Sequence, residues 1–169
     1  EHGLASLKQE FPNIPSEIAR KKSDVLVIVP AFNEEKSIVR VIEYLNKLEP
    51  KPDVLVVNDG SLDMTGPLAK TTKKALVVDL PKNLGIGGAV QTGFKYAFRN
   101  NYQQAVQFDA DGQHLAGEIP KLLDRLEQDG VNMVIGSRFM QRHKGFRSTF
   151  VRRIGIRIFQ VLNSLLIRQ

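Results

Sequence analysis

The chain alternates short apolar runs with longer amphipathic stretches. Asp24-Val-Leu-Val-Ile-Val-Pro30 is a continuous β-branched run, the pattern of a parallel strand covered on both faces, with Pro30 ending it. Ile38, Val41, Ile42, Leu45 and Leu48 then fall at helical spacing among charges, and Pro50 and Pro52 close that segment. Residues 54–58 predict a second strand, broken by Asp59-Gly-Ser. A helix over about 64–74 and a third strand over 75–80 follow. Asn83-Leu-Gly-Ile-Gly-Gly88 is a glycine-rich loop feeding a helix that carries Val90, Phe94, Ala97 and Phe98 on one side. Next, Ala105-Val-Gln-Phe-Asp-Ala-Asp-Gly-Gln-His114 reads as a buried, central strand that delivers two carboxylates to a loop. Residues 118–129 predict a helix with Ile119, Leu122, Leu123 and Leu126 facing inward, and 131–136 a last strand that Ser137-Arg138 leaves.

Strands alternating with helices specify an α/β fold with a mainly parallel sheet, by the right-handed crossover rule. Ligands of such sheets sit outside the carboxyl ends of the strands, where strand order reverses. Four polar clusters are expected on that rim: Ala31-Phe-Asn33-Glu34, Asp59-Gly-Ser61, Asp109-Ala-Asp111 and Ser137-Arg138.

Composition narrows the chemistry. A chain of 169 residues, 42% hydrophobic and 25% charged, is long enough for one domain with a real core. The absence of cysteine excludes disulfides, thiolate catalysis and Cys-based zinc sites. His2, His114 and His143 are too scattered for a zinc motif. The net charge of +6 is local: 16 Lys and Arg precede Arg138 against all 18 acids, while the last 32 residues hold eight cations and no acid. That excess implies an anionic partner: diphosphate, lipid phosphate, membrane surface or nucleic acid. No run of about 18 apolar residues predicts a membrane-spanning helix, and no signal peptide is read. Opening on Glu1 rather than Met, the chain reads as a portion of something longer.

Asp109 and Asp111 can share one hard cation, Mg or Mn, while Gly112 lets the backbone turn; equally, they can serve as turn formers that bond nearby amides. Asp59 suits ribose hydroxyls or a base N–H, or else a cap before Met64. Gly85-x-Gly87-x-x-Val90 lacks the last glycine of a dinucleotide fingerprint and follows the third strand, not the first. Gly87 and Gly88 then permit close helix–sheet packing and a tight turn. There is no P-loop, and Ser61 lacks a nucleophile-elbow context.

Val29-Pro-Ala-Phe-Asn-Glu-Glu35, Asn58-Asp-Gly-Ser61, Asn83-Leu-Gly85, Asp109-Ala-Asp-Gly-Gln-His114 and Gly136-Ser-Arg138, in order over residues 24–138, resemble inverting glycosyltransferases of family two. The likeness is to the branch of dolichyl-phosphate mannose synthase and bacterial polyprenyl-phosphate sugar transferases, enzymes of cell-envelope synthesis. The resemblance implies a GT-A-type, Rossmann-like, mainly parallel sheet flanked by helices, with a nucleotide-diphosphate sugar donor and Mg or Mn. It implies that Pro30, Ala31, Phe32 and Glu34 line the nucleoside pocket with Asn83, Gly85 and Ala110, and that Asp59 meets base or ribose. It implies that Asp109 and Asp111 bring the metal to the diphosphate, and that Asp109 and Gln113 border the sugar. Asp111 and Arg138 are the residues it implies for catalysis. Two departures stand out. Phe32 replaces the usual Tyr and keeps a stacking face without a hydroxyl; Asn58 replaces an acid and lowers negative charge near the diphosphate.

An alcohol acceptor needs a carboxylate to take its proton. After Asp111 the only acids are Glu118, Asp124, Glu127 and Asp129, all on the helix predicted over 118–129. Either the acceptor is a phosphate that is already ionised, received by Arg138, Arg147, Arg152 or Arg153, or the acid lies beyond this chain. The first agrees with the basic tail and is the reading favoured. Residues 1–23 are expected to be an N-terminal arm, 24–148 the nucleotide-sugar-binding domain, and 149–169 a basic amphipathic helix, incomplete at its end. That helix either lies in a membrane interface or packs on protein. The expected place is the cytoplasm, at the cytoplasmic face of the membrane, with no nucleic acid as partner. The competing functions are a sugar nucleotidyltransferase, which would carry a lysine-bearing glycine loop after the first strand, and a nucleotide-sugar-binding module without turnover.

Overall fold

The structure is a computed structural model that describes residues 21–136, and the following concerns the unit ending at Val134. The expected arm to residue 20, and the C-terminal helix with Arg138, Arg147, Arg152 and Arg153, lie outside the described residues. Four strands, β1 (Val25–Ala31), β2 (Asp53–Asn58), β3 (Leu76–Asp79) and β4 (Gln104–Gln107), form one parallel sheet in the order β3-β2-β1-β4. Between them run helices α1 (Ile38–Leu45), α2 (Thr65–Thr71) and α3 (Gly85–Arg99). A 3₁₀ turn, Ala116–Glu118, leads into α4 (Ile119–Gln128).

The period-two geometry of a strand explains why β1 is apolar throughout. Val27, Val29 and Ala31 face a core shared with Ile38, Val41, Ile42 and Leu45 of α1, Ala69 of α2 and Ile119 of α4. Leu26 and Ile28 face the other way, onto Ala89, Tyr96 and Ala97 of α3. The approach of α3 is set by Gly93, where a Cβ would stand 2.2 Å from Ile28 Cγ2. The packing glycine is therefore Gly93. Gly87 faces open space and Gly88 lies against the Leu84 side chain, so neither serves the close helix–sheet contact read from the sequence.

Three strand expectations change. Pro30 does not end β1, which runs through Ala31. The backbone of residue 30 points to the β4 side, where the ladder has already stopped at Ile28–Gln107, so a missing N–H costs nothing there. β4 is not a buried central strand: its residues are half-buried to exposed, and among the described residues it forms an edge. Residues 131–136 form no strand, and Val131, Met133 and Ile135 are exposed. An apolar run becomes a strand only when a partner's ladder satisfies its backbone, and no described strand pairs with this one. On α4 only Ile119 is fully buried; Leu122, Leu123 and Leu126 are half-buried.

Candidate active site

The chain steps outward from β1 to β2 to β3, then crosses back to β4 on the far side of β1. Strand order therefore reverses between β1 and β4, the crevice where ligands of open α/β sheets bind. The acids predicted for the site leave β2 and β4, the two neighbours of β1. Strand spacing puts those two exits about 10 Å apart, with the end of β1 between them.

Asp59 follows β2 and is 3% exposed. Its N–H donates to the Ala31 carbonyl (2.8 Å), and its Oδ1 accepts the Leu84 N–H (2.7 Å), tying the loop before α3 to the β2 exit. That carboxylate is neither a cap for Met64 nor fully free for a ribose: its second oxygen has to serve any ligand. Asn83 is exposed and accepts the Gly85 N–H through Oδ1 (2.9 Å), with Gly85 at φ +76° opening α3. Pro30 and Ala31 are buried at the end of β1, and the Phe32 ring beyond them is exposed. Glu34 is half-buried, its Oε2 accepting the Ser37 hydroxyl (2.7 Å).

Sequence reasoning missed how this rim is held. Asn33, at φ +56°, accepts the Leu62 N–H (2.9 Å) and donates its own N–H to Ser61 Oγ (3.0 Å). Glu34 N donates to Thr65 Oγ1 (2.7 Å), and Glu35 N to Asp63 Oδ2 (3.1 Å). Met64 N donates in turn to Glu35 Oε2 (3.2 Å), so the loop after β1 is laced to the segment after β2 through five bonds that no local pattern announces.

Past β4, Asp109 and Asp111 are both half-buried, with Ala110 buried between them. Asp109 is held at both oxygens: Gln107 Nε2 donates to Oδ1 (3.2 Å), and His114 Nε2 lies 3.0 Å from Oδ2. The His114 ring also packs on Phe108, centroids 5.7 Å apart. Asp111 Oδ1 accepts the N–H of exposed Gln113 (2.8 Å). The turn-forming role read from the sequence is therefore seen at Asp111, whose Oδ1 makes the turn bond. Gly112, at φ +72°, makes the turn, and a Cβ there would meet Arg40 Nη2 at 2.6 Å. Arg40 carries no signal in the sequence; it arrives because α1 lies beside this loop. Arg40, Tyr44, Lys47, Phe108, Gly112 and His114 line a cleft of ≈ 330 Å³ there.

Among the described residues no three His, Asp or Glu side chains could enclose a metal ion. Two carboxylates fit a different demand. Mg and Mn take oxygen ligands and keep positions for water and phosphate, so Asp109 and Asp111 suit an ion that arrives with a diphosphate.

Asn58 has a role other than the one expected. It is buried, and its Nδ2 donates to Asp79 Oδ1 on β3 (2.8 Å) while its Oδ1 accepts the Ser61 N–H (3.3 Å). An acid at 58 would face Asp79 directly. Burial pushes the Asp79 carboxyl up, but the Asn58 amide and the Lys70 ammonium outweigh this and hold it below its ordinary 3.8. Because the folded-state value is the lower one, this group stabilises the fold above about pH 3.8, and the contribution is lost as pH falls through the lower folded value. Lys70→Met is expected to flatten that acid limb by under about 1 kcal/mol, since the pair is partly exposed. Urea unfolding at pH 5 and pH 3 measures it.

The parallel sheet in the order β3-β2-β1-β4, flanked by helices, has a GT-A-type architecture. The crystal structure of S. aureus TarS 1–349 shares the fold, with a TM-score of 0.53 over 70% of this chain and 40% of that one at 20% identity. The model of glycosyl transferase family 2 matches residues 26–168, and the chain belongs to that family. Polyprenol monophosphomannose synthase of Mycolicibacterium smegmatis is 34% identical over 126 residues, covering 72% of this chain and 47% of that protein. Undecaprenyl-phosphate mannosyltransferase of Micrococcus luteus is 36% identical over 118 residues, covering 68% and 48%. UDP-N-acetylglucosamine–dolichyl-phosphate N-acetylglucosaminyltransferase of Methanococcus voltae is 33% identical over 130 residues, covering 68% and 51%. The chain thus spans about half the length of the curated relatives it matches.

Proposed function

We propose that this protein transfers a sugar from a nucleoside-diphosphate donor to a polyprenyl phosphate, with inversion at the anomeric carbon. The observation that carries the reading is the delivery of Asp59 and the Asp109–Asp111 pair to opposite sides of the β1 end, at the switch point of the sheet. The relatives' names support the acceptor class: the sugar varies between mannose and N-acetylglucosamine, whereas each acceptor is a polyprenyl-type phosphate.

In this reading the exposed Phe32 face and Glu34 border the nucleoside, with Pro30 and Ala31 as the floor and Asp59 turned to base or ribose. Asn83, Gly85 and Ala110 shape the walls. Asp109 and Gln113 border the sugar. Asp109 and Asp111 hold Mg or Mn, which when bound neutralises the diphosphate. Asp111 and Arg138 complete the catalytic set, and Arg147, Arg152 and Arg153 receive the acceptor phosphate. An acceptor phosphate oxygen attacks the anomeric carbon as the bond from that carbon to the donor's β-phosphate oxygen breaks, and the electron pair leaves with the nucleoside diphosphate. An ionised phosphate has no proton to surrender, so the step needs no general base. Of the four acids on and beside α4, Glu118 pairs with Lys121, Asp129 with Arg125, and Glu127 accepts from Gln104, while Asp124 stands exposed on the helix.

No helix among the described residues is long and apolar enough to cross a membrane. The place proposed is the cytoplasmic face, with the lipid substrate brought to the sheet rim.

A thermal-shift series of nucleoside diphosphates with and without Mn tests the donor half. One nucleotide is expected to raise the melting temperature only with the ion, because a ligand bound to the native state stabilises it by linkage. Transfer to polyprenyl phosphate, with none to the matching polyprenol, tests the acceptor half. Transfer to the alcohol would overturn the absence of a base.

A further inference from the structure

We propose that the outer flank of α3 is a membrane-contact surface that seats on an anionic lipid bilayer. α3 inverts the usual arrangement of an amphipathic helix. Its sheet side is built from small or fully buried residues, Ala89, Gly93, Tyr96 and Ala97. Its bulky apolar residues stand outside: Ile86 is 62% exposed, Phe94 45% and Phe98 85%, with Val90 half-buried between them. These four fall at intervals of four residues, so they form one ridge along the helix. The ridge spans roughly 18 Å at 1.5 Å per residue. Leu84, 48% exposed, extends it to the loop that Asp59 holds.

Single exposed apolar side chains need no explanation, but a contiguous ridge with two phenylalanines marks a contact surface. The charge around it selects the partner. Residues 80–108 hold no Asp or Glu and three cations, Lys82, Lys95 and Arg99. The described acids at the ends of β1, β2 and β3 are engaged: Asp79 with Asn58 and Lys70, Asp59 with Leu84 N, Asp53 with the Tyr102 hydroxyl and Asp24 with Lys21. Aromatic and aliphatic groups set in a stretch that carries cations and no acid over residues 80–108 are what an interface rich in anionic headgroups takes. α3 begins at the site rim, so such seating brings the rim to the lipid surface. The inference stands whether or not the protein transfers a sugar.

The chain contains no tryptophan, so Phe98→Trp installs a single reporter. With the full chain and vesicles of phosphatidylcholine containing phosphatidylglycerol, its fluorescence is expected to shift to the blue and to be quenched by brominated acyl chains. Phe94→Ser/Phe98→Ser is expected to lower vesicle partitioning roughly tenfold or more, from the apolar area withdrawn. Its thermal melt should stay at the parent's value, since both rings are exposed in the fold. Val39→Ser/Tyr44→Ser on α1, which covers the opposite face of the sheet, should bind as the parent does. Absence of vesicle binding by the parent, an indole reporter that stays unquenched in the bound state, or equal losses in both double variants would overturn the proposal. So would a parent dimer that the α3 variant converts to monomer without change in partitioning, since the ridge would then be a contact between copies.

Discussion

An Asp111→Ala variant is expected to lose metal-dependent nucleoside-diphosphate binding, by more than about a hundredfold in affinity. The size follows from what lesser changes do: removing a partner that merely supports a ligand costs about 10–100-fold in metal affinity, and on the proposed site this variant removes a ligand. The fold should survive, because the Asp111 carboxylate is half-buried and its bond within the protein is the turn contact to Gln113 N. A net loss of about 1 kcal/mol in stability is the expectation for that bond. Calorimetric titration with Mn present and absent separates the two effects. Binding that retains its response to Mn would remove Asp111 from the metal site and leave it as a turn former only.

Gly60→Ala is expected to cost about 3 kcal/mol or more of stability and to disturb the site from a distance. Gly60 has φ +67°, and a Cβ there would stand 2.7 Å from Asn83 N and 2.8 Å from the Lys82 carbonyl carbon. Left-handed backbone costs a residue with a Cβ about 1–2 kcal/mol, and forced overpacking adds about 1–3. The atoms met are backbone, so they can yield only by moving the whole 82–84 loop. That movement breaks the Leu84 N–H bond to Asp59 and leaves a buried carboxylate short of a donor. Gly85→Ala is the matched control. It has a similar φ of +76° with nothing within 4 Å of the added Cβ, so it should cost only about 1 kcal/mol. Chemical denaturation of both variants measures the difference. Equal losses would mean that backbone conformation, not the contact between the two loops, sets the cost.

Asn58 shows how reading a motif differs from reading a structure. Its departure from the usual acid was visible in the chain and suggested a change in charge near the diphosphate. The structure turns the side chain to β3, where it supports Asp79. A residue's neighbour across the sheet lies 21 positions away in this case, beyond any local pattern. The same holds for the exposed ridge of α3. The sequence put Val90, Phe94, Ala97 and Phe98 on one side of a helix; the structure divides them, turning Ala97 to the sheet and the phenylalanines to solvent, as Gly93 seats against Ile28.

Local pattern was enough for the alternating α/β plan, the parallel sheet, the stripe that buries α1 and the exit of Asp59, Asp109 and Asp111 from strand ends. These follow from periodicity and turn chemistry, which act over a few residues. Long-range packing was needed to put β4 and not another strand beside β1, to carry a strand through Pro30, to leave 131–136 without one, and to bring Arg40 to the loop of Asp109 and Asp111. Those outcomes depend on which distant segments meet, because a backbone hydrogen bond or a close contact needs a partner that local sequence does not specify.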